Sequence, residues 1–435
     1  MLRAILLYVL VILATVTAVL RPFSGLLYYL WFSFGRPADF VWPNFVFDYE
    51  VWIAGATLLG YAIWEMGKSP PRIEGMRLLV VLWVWFGLTS LTAQIPMIAF
   101  PKLWEYSRIF IMAFLTCALA NSEKRIRSIL YVLAISLGFL GAKGGYDAVT
   151  TGFANSMKGP GGMMSEQNEY ALALNMGIPI LVWLAQDDPR WWVRWLFRGM
   201  AVGSAVVVIG TRSRSGLLGL LMVGIVLVAF SNHKALFSGI GVSCLFLLLL
   251  FGPQGALKRY KTIPTAAEVD PSAIGRLQAW RAAIKMTKAH PITGVGLRNF
   301  LYVFRQYSSD PPRVTHNAVF DLLSETGIPG CLMFMAMIGS AIIQMFKLRL
   351  KALAHPDTKH LGMYCQIVFG VLVVYLVPNM FINRQDFDLM YQMIAVEAGL
   401  AILVQQKLAA AREEVRLPAE DTMPLWMRAQ RELVE

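Results

Sequence analysis

The feature that most constrains this chain is a succession of apolar runs, each long enough to cross about 30 Å of hydrocarbon. They recur near residues 4–20, 49–65, 77–94, 106–121, 126–141, 168–185, 195–210, 214–231, 235–251, 328–346, 361–380 and 388–405. Inside a bilayer every backbone N–H and C=O must find its partner within the protein, so runs of this length are read as helices. The expected fold class is an all-α polytopic membrane protein with about 12 transmembrane helices. Composition agrees, with 57% of the 435 residues apolar and 15% charged. An ordinary soluble domain is about a quarter charged. A soluble enzyme, a disordered chain and a secreted disulfide scaffold are excluded. Cys117, Cys244, Cys331 and Cys365 each lie inside an apolar run without CxxC spacing, and read as small packing residues.

The first apolar run follows one positive charge but leads to no small-x-small cleavage site, so it reads as a membrane helix rather than a signal peptide. The aromatic stretch 23–34, FSGLLYYLWFSF, is too short to span and is expected to be interfacial or re-entrant. Short loops set the orientation. Lys68, Arg72 and Arg77, then Lys124, Arg125 and Arg127, then Arg190, Arg194 and Arg198, then Lys347, Arg349, Lys351 and Lys359, fall on one face if twelve segments cross. By the positive-inside rule that face is cytoplasmic, and both termini lie there.

The chain carries a net charge of +12, and its apolar content argues against nucleic acid as the reason. Part of the excess orients the bundle. Another part lies on the opposite face, where the long loop 252–327 holds ten Lys or Arg and five Asp or Glu. Orientation alone would not put basic residues there, and an anionic ligand is the natural reason.

Three clusters on that outer face could carry chemistry. In GTRSRSGLLGLL, Arg212 and Arg214 occupy a short turn, with Ser215 and Gly216 opening the next helix. Guanidinium forks suit phosphate oxygens, and helix N-terminal amides add positive potential. In DPSAIGRLQAWRAAIKMTKAHP, Asp270 and Pro271 start a helix that ends before Pro291. Its apolar face is expected to be Ile274, Leu277, Trp280 and Ile284, laid on the bundle or the membrane surface. Arg281, Lys285 and Lys288 form a basic face, and Arg276 stands at the margin, close to the bundle. In PPRVTHNAVFDLLSETGIPG, Thr315 is expected to cap a short helix that Gly327 and Pro329 end. His316 then falls in its first turn, neutral and able to accept a proton. Asn317, Asp321 and Glu325 recur every four residues as a polar stripe unsuited to lipid. His233, His290, His355 and His360 are weaker candidates. Glu397, near a span centre, reads equally as a functional acid or a structural hydrogen bond. Asp386 and Asp388 form a DxD, a spacing that metal-using glycosyltransferases share, but Arg384 offers Asp386 a salt bridge and no metal is expected.

The turn TRSRSG before a span, the long outer loop with GR-x3-W and then GVG, and HNAVFDLLSETGIPG resemble the O-antigen ligase (WaaL) and O-antigen polymerase superfamily. RPFSGLLYYLWFSFGRPADFVW is similar to the exosortase-associated O-glycosylation ligase branch. The likeness runs through nearly the whole chain. It implies a GT-C-like membrane glycosyltransferase of the bacterial inner membrane, without metal or nucleotide. Its donor would be an undecaprenyl-diphosphate-linked glycan and its acceptor a sugar of lipid A–core. Arg212, Arg214 and Arg276 would bind the diphosphate and His316 would be catalytic, with Arg281, Asn317, Asp321 and Glu325 as support. A polymerase, a protein O-oligosaccharyltransferase and a lipid-linked sugar transporter are the alternatives. The expected organisation is an N-terminal bundle (1–251), a periplasmic loop with catalytic motifs and short helices (252–327), C-terminal membrane helices (328–405) and a cytoplasmic tail (406–435).

Overall fold

The computed structural model describes residues 2–41, 48–67, 76–153, 157–231 and 271–416. The expected span 235–251, the loop start 252–270 with Asp270, His233, Cys244 and most of the basic tail lie outside the described residues. Fourteen α-helices carry the described chain: α1 (Leu2–Leu20), α2 (Pro22–Gly35), α3 (Tyr49–Trp64), α4 (Arg77–Leu91), α5 (Pro96–Leu119), α6 (Glu123–Thr150), α7 (Gln167–Asp187), α8 (Trp191–Gly210), α9 (Arg214–Phe230), α10 (Pro271–Ala289), α11 (Phe300–Tyr307), α12 (Ala318–Leu353), α13 (Lys359–Asn379) and α14 (Asp388–Arg416). No strand occurs among the described residues. Six helical stretches are long and apolar enough to cross a membrane: α1, α6, α8, α12, Pro356–Asn379 and Asp388–Ala410. Helices α4 and α9 are apolar but shorter.

The segment 23–34 is helical and, as expected, too short to span. It is α2, whose Leu26, Leu30 and Phe32 are fully buried. At 14 residues it spans about 21 Å, too short for a crossing. Only Arg21 separates it from α1, and α3 packs against both helices. Tyr49 meets Phe32 at 5.0 Å between ring centres, and at the other end Gly60 faces the carbonyls of Ala18 and Val19. Helices α3 and α6 cover its aromatic rings.

Helices in hydrocarbon gain little from apolar contact alone, so close backbone approach through small residues matters. Helices α6 and α8 use it: a Cβ on Gly145 would sit 2.9 Å from the Cα of Gly203, and one on Gly141 would collide with Ser204. Cys117, Cys331 and Cys365 are buried, as packing residues should be.

Polar contacts gather the inter-helix segments on two faces. On one, Arg125 pairs with Glu65 at 2.7 Å, and Glu123 meets both His360 (3.0 Å) and Lys407 (3.1 Å). These join the ends of α3, α6, α13 and α14. On the other, loop-rich face, Ser213 donates to Asn168 (2.6 Å), Arg384 pairs with Glu169 (3.0 Å), and Asn317 donates to the Met380 carbonyl (2.8 Å).

Helix α12 is two helices joined at Gly327, where φ is 72° and ψ is −178°. The short piece 318–326 ends there, as the Gly327–Pro329 pair predicts. The ideal Cβ position of Gly327 lies 2.0 Å from the Ile292 carbonyl oxygen. Gly327→Ala should therefore lower the thermal midpoint of the detergent-purified protein, since strain of this kind costs of order 1–3 kcal/mol before the clash is counted. An unchanged midpoint would show that the kink is dispensable.

Candidate active site

His316 stands in a turn held by its own helix α12, by α10 and by the segment after α13. Asn317, not Thr315, caps the following helix: its Oδ1 accepts from the amides of Val319 (2.9 Å) and Phe320 (3.1 Å). A cap residue needs extended backbone, which Asn317 adopts, and the Thr315 hydroxyl is engaged elsewhere. It donates to Asp321 Oδ1 at 2.9 Å. His316 thus precedes the cap instead of lying in the first turn, with a left-handed φ of 46°. A non-glycine residue there is uncommon and persists when its surroundings over-determine it. The determinants are visible. The Trp280 indole donates to the Thr315 carbonyl (2.9 Å), the Asn317 amide donates to Met380 O, and Gln385 donates to Asp321 Oδ2 (2.6 Å).

The His316 imidazole is held below the ordinary histidine range, first by burial and then by the Arg276 guanidinium. Burial and the neighbouring cation both favour the neutral ring. Arg276 comes from α10, which brings it to His316 across the loop. The packing of α10 differs from the expected pattern. Its buried face is Ala279, Ala282, Ala283 and Met286, set against Phe300, Val303 and Phe304. Ile274, Leu277 and Ile284 point outward instead. Small residues let α10 approach the bundle closely, and its larger aliphatics are left on the free side. Only Trp280 of the expected apolar face turns inward, stacking on Phe320 with ring centres 5.1 Å apart. Arg281, Lys285 and Lys288 are exposed, with Lys285 reaching the Tyr307 carbonyl at 3.2 Å.

The arginine turn is built by Ser213, which caps α9 by accepting from the Gly216 amide at 3.0 Å. The helix therefore starts at Arg214, one residue earlier than expected. Arg212 has a left-handed φ of 55°, and its Nη2 donates to the Phe153 carbonyl at 2.7 Å. The structure links this turn to His316 through one end of α13. Gly219 of α9 lies against Pro378, and the Met380 carbonyl two residues on holds Asn317.

The stripe Asn317, Asp321, Glu325 turns inward as its spacing suggests. Asp321 and Glu325 are buried and line a cavity of about 910 Å³ on the loop-rich face. Sequence reasoning missed most of this chamber. Its walls include Arg36 and Glu50, Lys102 of α5, Arg298 and the segment 383–388. The available signal was Lys102 and Glu105, an i,i+3 pair beside an apolar run. Asp386 is held by Lys102 at 2.7 Å, with Arg384 farther away at 3.7 Å. Burial pushes its carboxyl up, but these two cations outweigh burial and keep it below the ordinary range. Asp388 accepts from Tyr29 (3.0 Å) and Gln392 (2.9 Å). The two carboxyls of the DxD thus hold protein donors, and among the described residues no His/Cys/Asp/Glu group is placed to hold a metal ion. His290 contacts Tyr307 (3.0 Å) and Gln94 (3.1 Å) and ties α10 to the 92–95 turn. Glu397 is buried within α14, and its Oε1 makes no hydrogen bond among the described residues.

Residues 199–335, which hold Arg212, Arg214, Arg276 and His316, match the O-antigen ligase family. Residues 2–188 match a family of unknown function (DUF5935). No curated protein matches the chain. The chain is a multi-pass membrane protein carrying a domain of the O-antigen ligase and polymerase superfamily.

Because burial is the larger cause of the His316 shift, removing Arg276 should restore only part of it. Titrated by NMR, the His316 ring of Arg276→Gln should gain its proton at higher pH than the parent, yet still below about 6.5. An unmoved titration would separate Arg276 from His316 electrostatically.

Proposed function

We propose that this superfamily member is a glycan ligase: a metal-independent, inverting glycosyltransferase that moves a glycan from undecaprenyl diphosphate to an acceptor sugar of lipid A–core. The observation that carries the reading is the half-buried His316, its proton affinity lowered by burial and by Arg276, on a turn that α13 connects to the helix opened by Arg214. The acceptor hydroxyl gives its proton to the His316 imidazole as its oxygen attacks the anomeric carbon. The bond from that carbon to the phosphate oxygen breaks, and its electron pair leaves on the pyrophosphate. Arg212, Arg214 and Arg276 stabilise the charge that develops there. One displacement inverts the anomeric centre. The low proton affinity of His316 keeps it in the base form at neutral pH, and Asn317 and Asp321 hold its turn. Glu325 and Arg281 support the surrounding helices.

In this reading the loop-rich face is periplasmic. The clustering of Glu65, Arg125, Glu123, His360 and Lys407 on the opposite face supports grouping the basic loops there, which the positive-inside rule assigns to the cytoplasm together with both termini. Twelve crossings, the loop 252–327 as the catalytic insertion between the bundle 1–251 and the helices 328–405, and the tail 406–435 complete the proposed organisation. The exosortase-associated branch belongs to the same reading. A polymerase or protein O-oligosaccharyltransferase would share donor and clamp and differ in acceptor. A transporter would need polar groups along a path through the membrane, whereas the chamber and clamp lie on one face.

Purified protein given a polyprenyl-diphosphate glycan and lipid A–core should yield a larger glycolipid. A longer lipid-linked chain would instead identify a polymerase, and no covalent product a transporter. His316→Ala should lower turnover by about 10²–10⁴-fold with normal expression. Arg214→Ala should lower kcat/KM for the donor, and transfer should survive EDTA; near-normal transfer in His316→Ala would overturn the assignment.

A further inference from the structure

The chamber walled by Asp321 and Glu325 continues into an apolar groove between α3 and α5. Helices α3 and α5 have next to no direct packing among the described residues. Val51, Ala54 and Leu58 of α3 line the gap from one side, and Ile109 and Met112 of α5 from the other. Positions 51, 54, 55 and 58 form a single helical stripe, about 10 Å long at 1.5 Å per residue. A polar chamber that continues into an apolar groove between two helices has the shape of an amphiphile site.

The charges of the chamber say what kind of head it takes. Arg36 pairs with Glu50 (2.8 Å), Lys102 with Asp386 (2.7 Å), Arg298 with Glu105 (3.3 Å) and Arg384 with Glu169 (3.0 Å). These cations are neutralised by carboxylates, unlike a cluster built for diphosphate. Paired carboxylates and cations suit hydroxyl groups, which both donate and accept. Trp104 and Tyr302, 61% and 59% exposed, border the chamber and offer flat apolar faces to a sugar ring. Arg108 is the exception. It lines the cavity on α5, and among the described residues it makes no ion pair or hydrogen bond. An arginine at the edge of an apolar groove is suited to one anionic group on the head.

We infer that this chamber and groove are the acceptor site, taking a glycolipid whose sugar head carries a phosphate and whose chains lie between α3 and α5. The inference rests on the ligase reading above and adds where the acceptor enters. It gives the N-terminal region, matched only to a family of unknown function, a part in recognition. The geometry connects to the chemistry: Val314 and Asp321, on either side of His316 in the chain, both line the chamber. The two lipid substrates then approach His316 from different sides, the diphosphate at the arginine turn and the hydroxyl from the chamber.

The test uses the full chain in nanodiscs. An ideal Cβ on Gly55 meets nothing within 4 Å, so Gly55→Phe puts a ring into the groove without displacing a neighbour. Gly87→Phe on α4, where a Cβ also meets open space, is the control. With a polyprenyl-diphosphate glycan as donor, Gly55→Phe and Arg108→Gln should each raise the KM for lipid A–core at least about tenfold, leave the donor KM unchanged, and leave the control unaltered. Independently of turnover, a benzophenone-tagged lipid A–core should crosslink to peptides of α3 and α5, and untagged lipid A–core should suppress the crosslink. A rise in donor KM instead, an unchanged acceptor KM, or a crosslink elsewhere would overturn the site while leaving the ligase reading intact. If the parent protein forms no larger glycolipid, the ligase reading falls, and the crosslink still decides whether the groove binds the amphiphile.

Discussion

An unsatisfied backbone amide in hydrocarbon costs several kcal/mol, and the rest of this structure follows from that cost. It confines the buried chain to helices and pushes irregular backbone to their ends. The non-glycine left-handed residues Arg36, Phe153, Arg212, Arg298 and His316 all lie at helix ends or in loops. Chemistry that needs side chains aimed by turns could be assembled only there.

On the loop-rich face a second device does the positioning. Asp321 uses one carboxyl oxygen for Thr315 and the other for Gln385, so a single buried side chain joins the His316 turn to the segment after α13. Trp280 fixes the same turn from α10. Removing one partner of such a buried group leaves the other unsatisfied, which is why small networks of this kind fix geometry more strongly than their number of bonds suggests. The unfavourable φ of His316 is sustained by these contacts from α10 and from the segment after α13. The apolar outer side of α10, with Ile274, Leu277 and Ile284 exposed beside Arg281 and Lys285, is the counterpart of its tight small-residue inner face.

Much of this was legible in the order of residues. Apolar runs located the helices, and Gly327 with Pro329 located the kink. The four-residue spacing of Asn317, Asp321 and Glu325 gave an inward stripe. Other features were not legible, each for a physical reason. The cap moved from Thr315 to Asn317 because Thr315 had a tertiary partner six residues away. The inner face of α10 was misassigned because close helix approach favours alanine over leucine, whereas periodicity weighs bulk. That α3 and α6 cover α2 was not legible either, because those contacts join distant segments.

The sequence by itself determined a helical membrane protein, since no other secondary structure could satisfy runs of this length and no soluble core could absorb them. It also determined which residue types stand where charge and proton transfer are to be managed. Only the tertiary structure decided that Arg276 meets His316, that Lys102 holds Asp386, and that α3 and α5 leave a gap beneath a polar chamber. Those pairings join residues tens to hundreds of positions apart, and local pattern carries no record of distance through space.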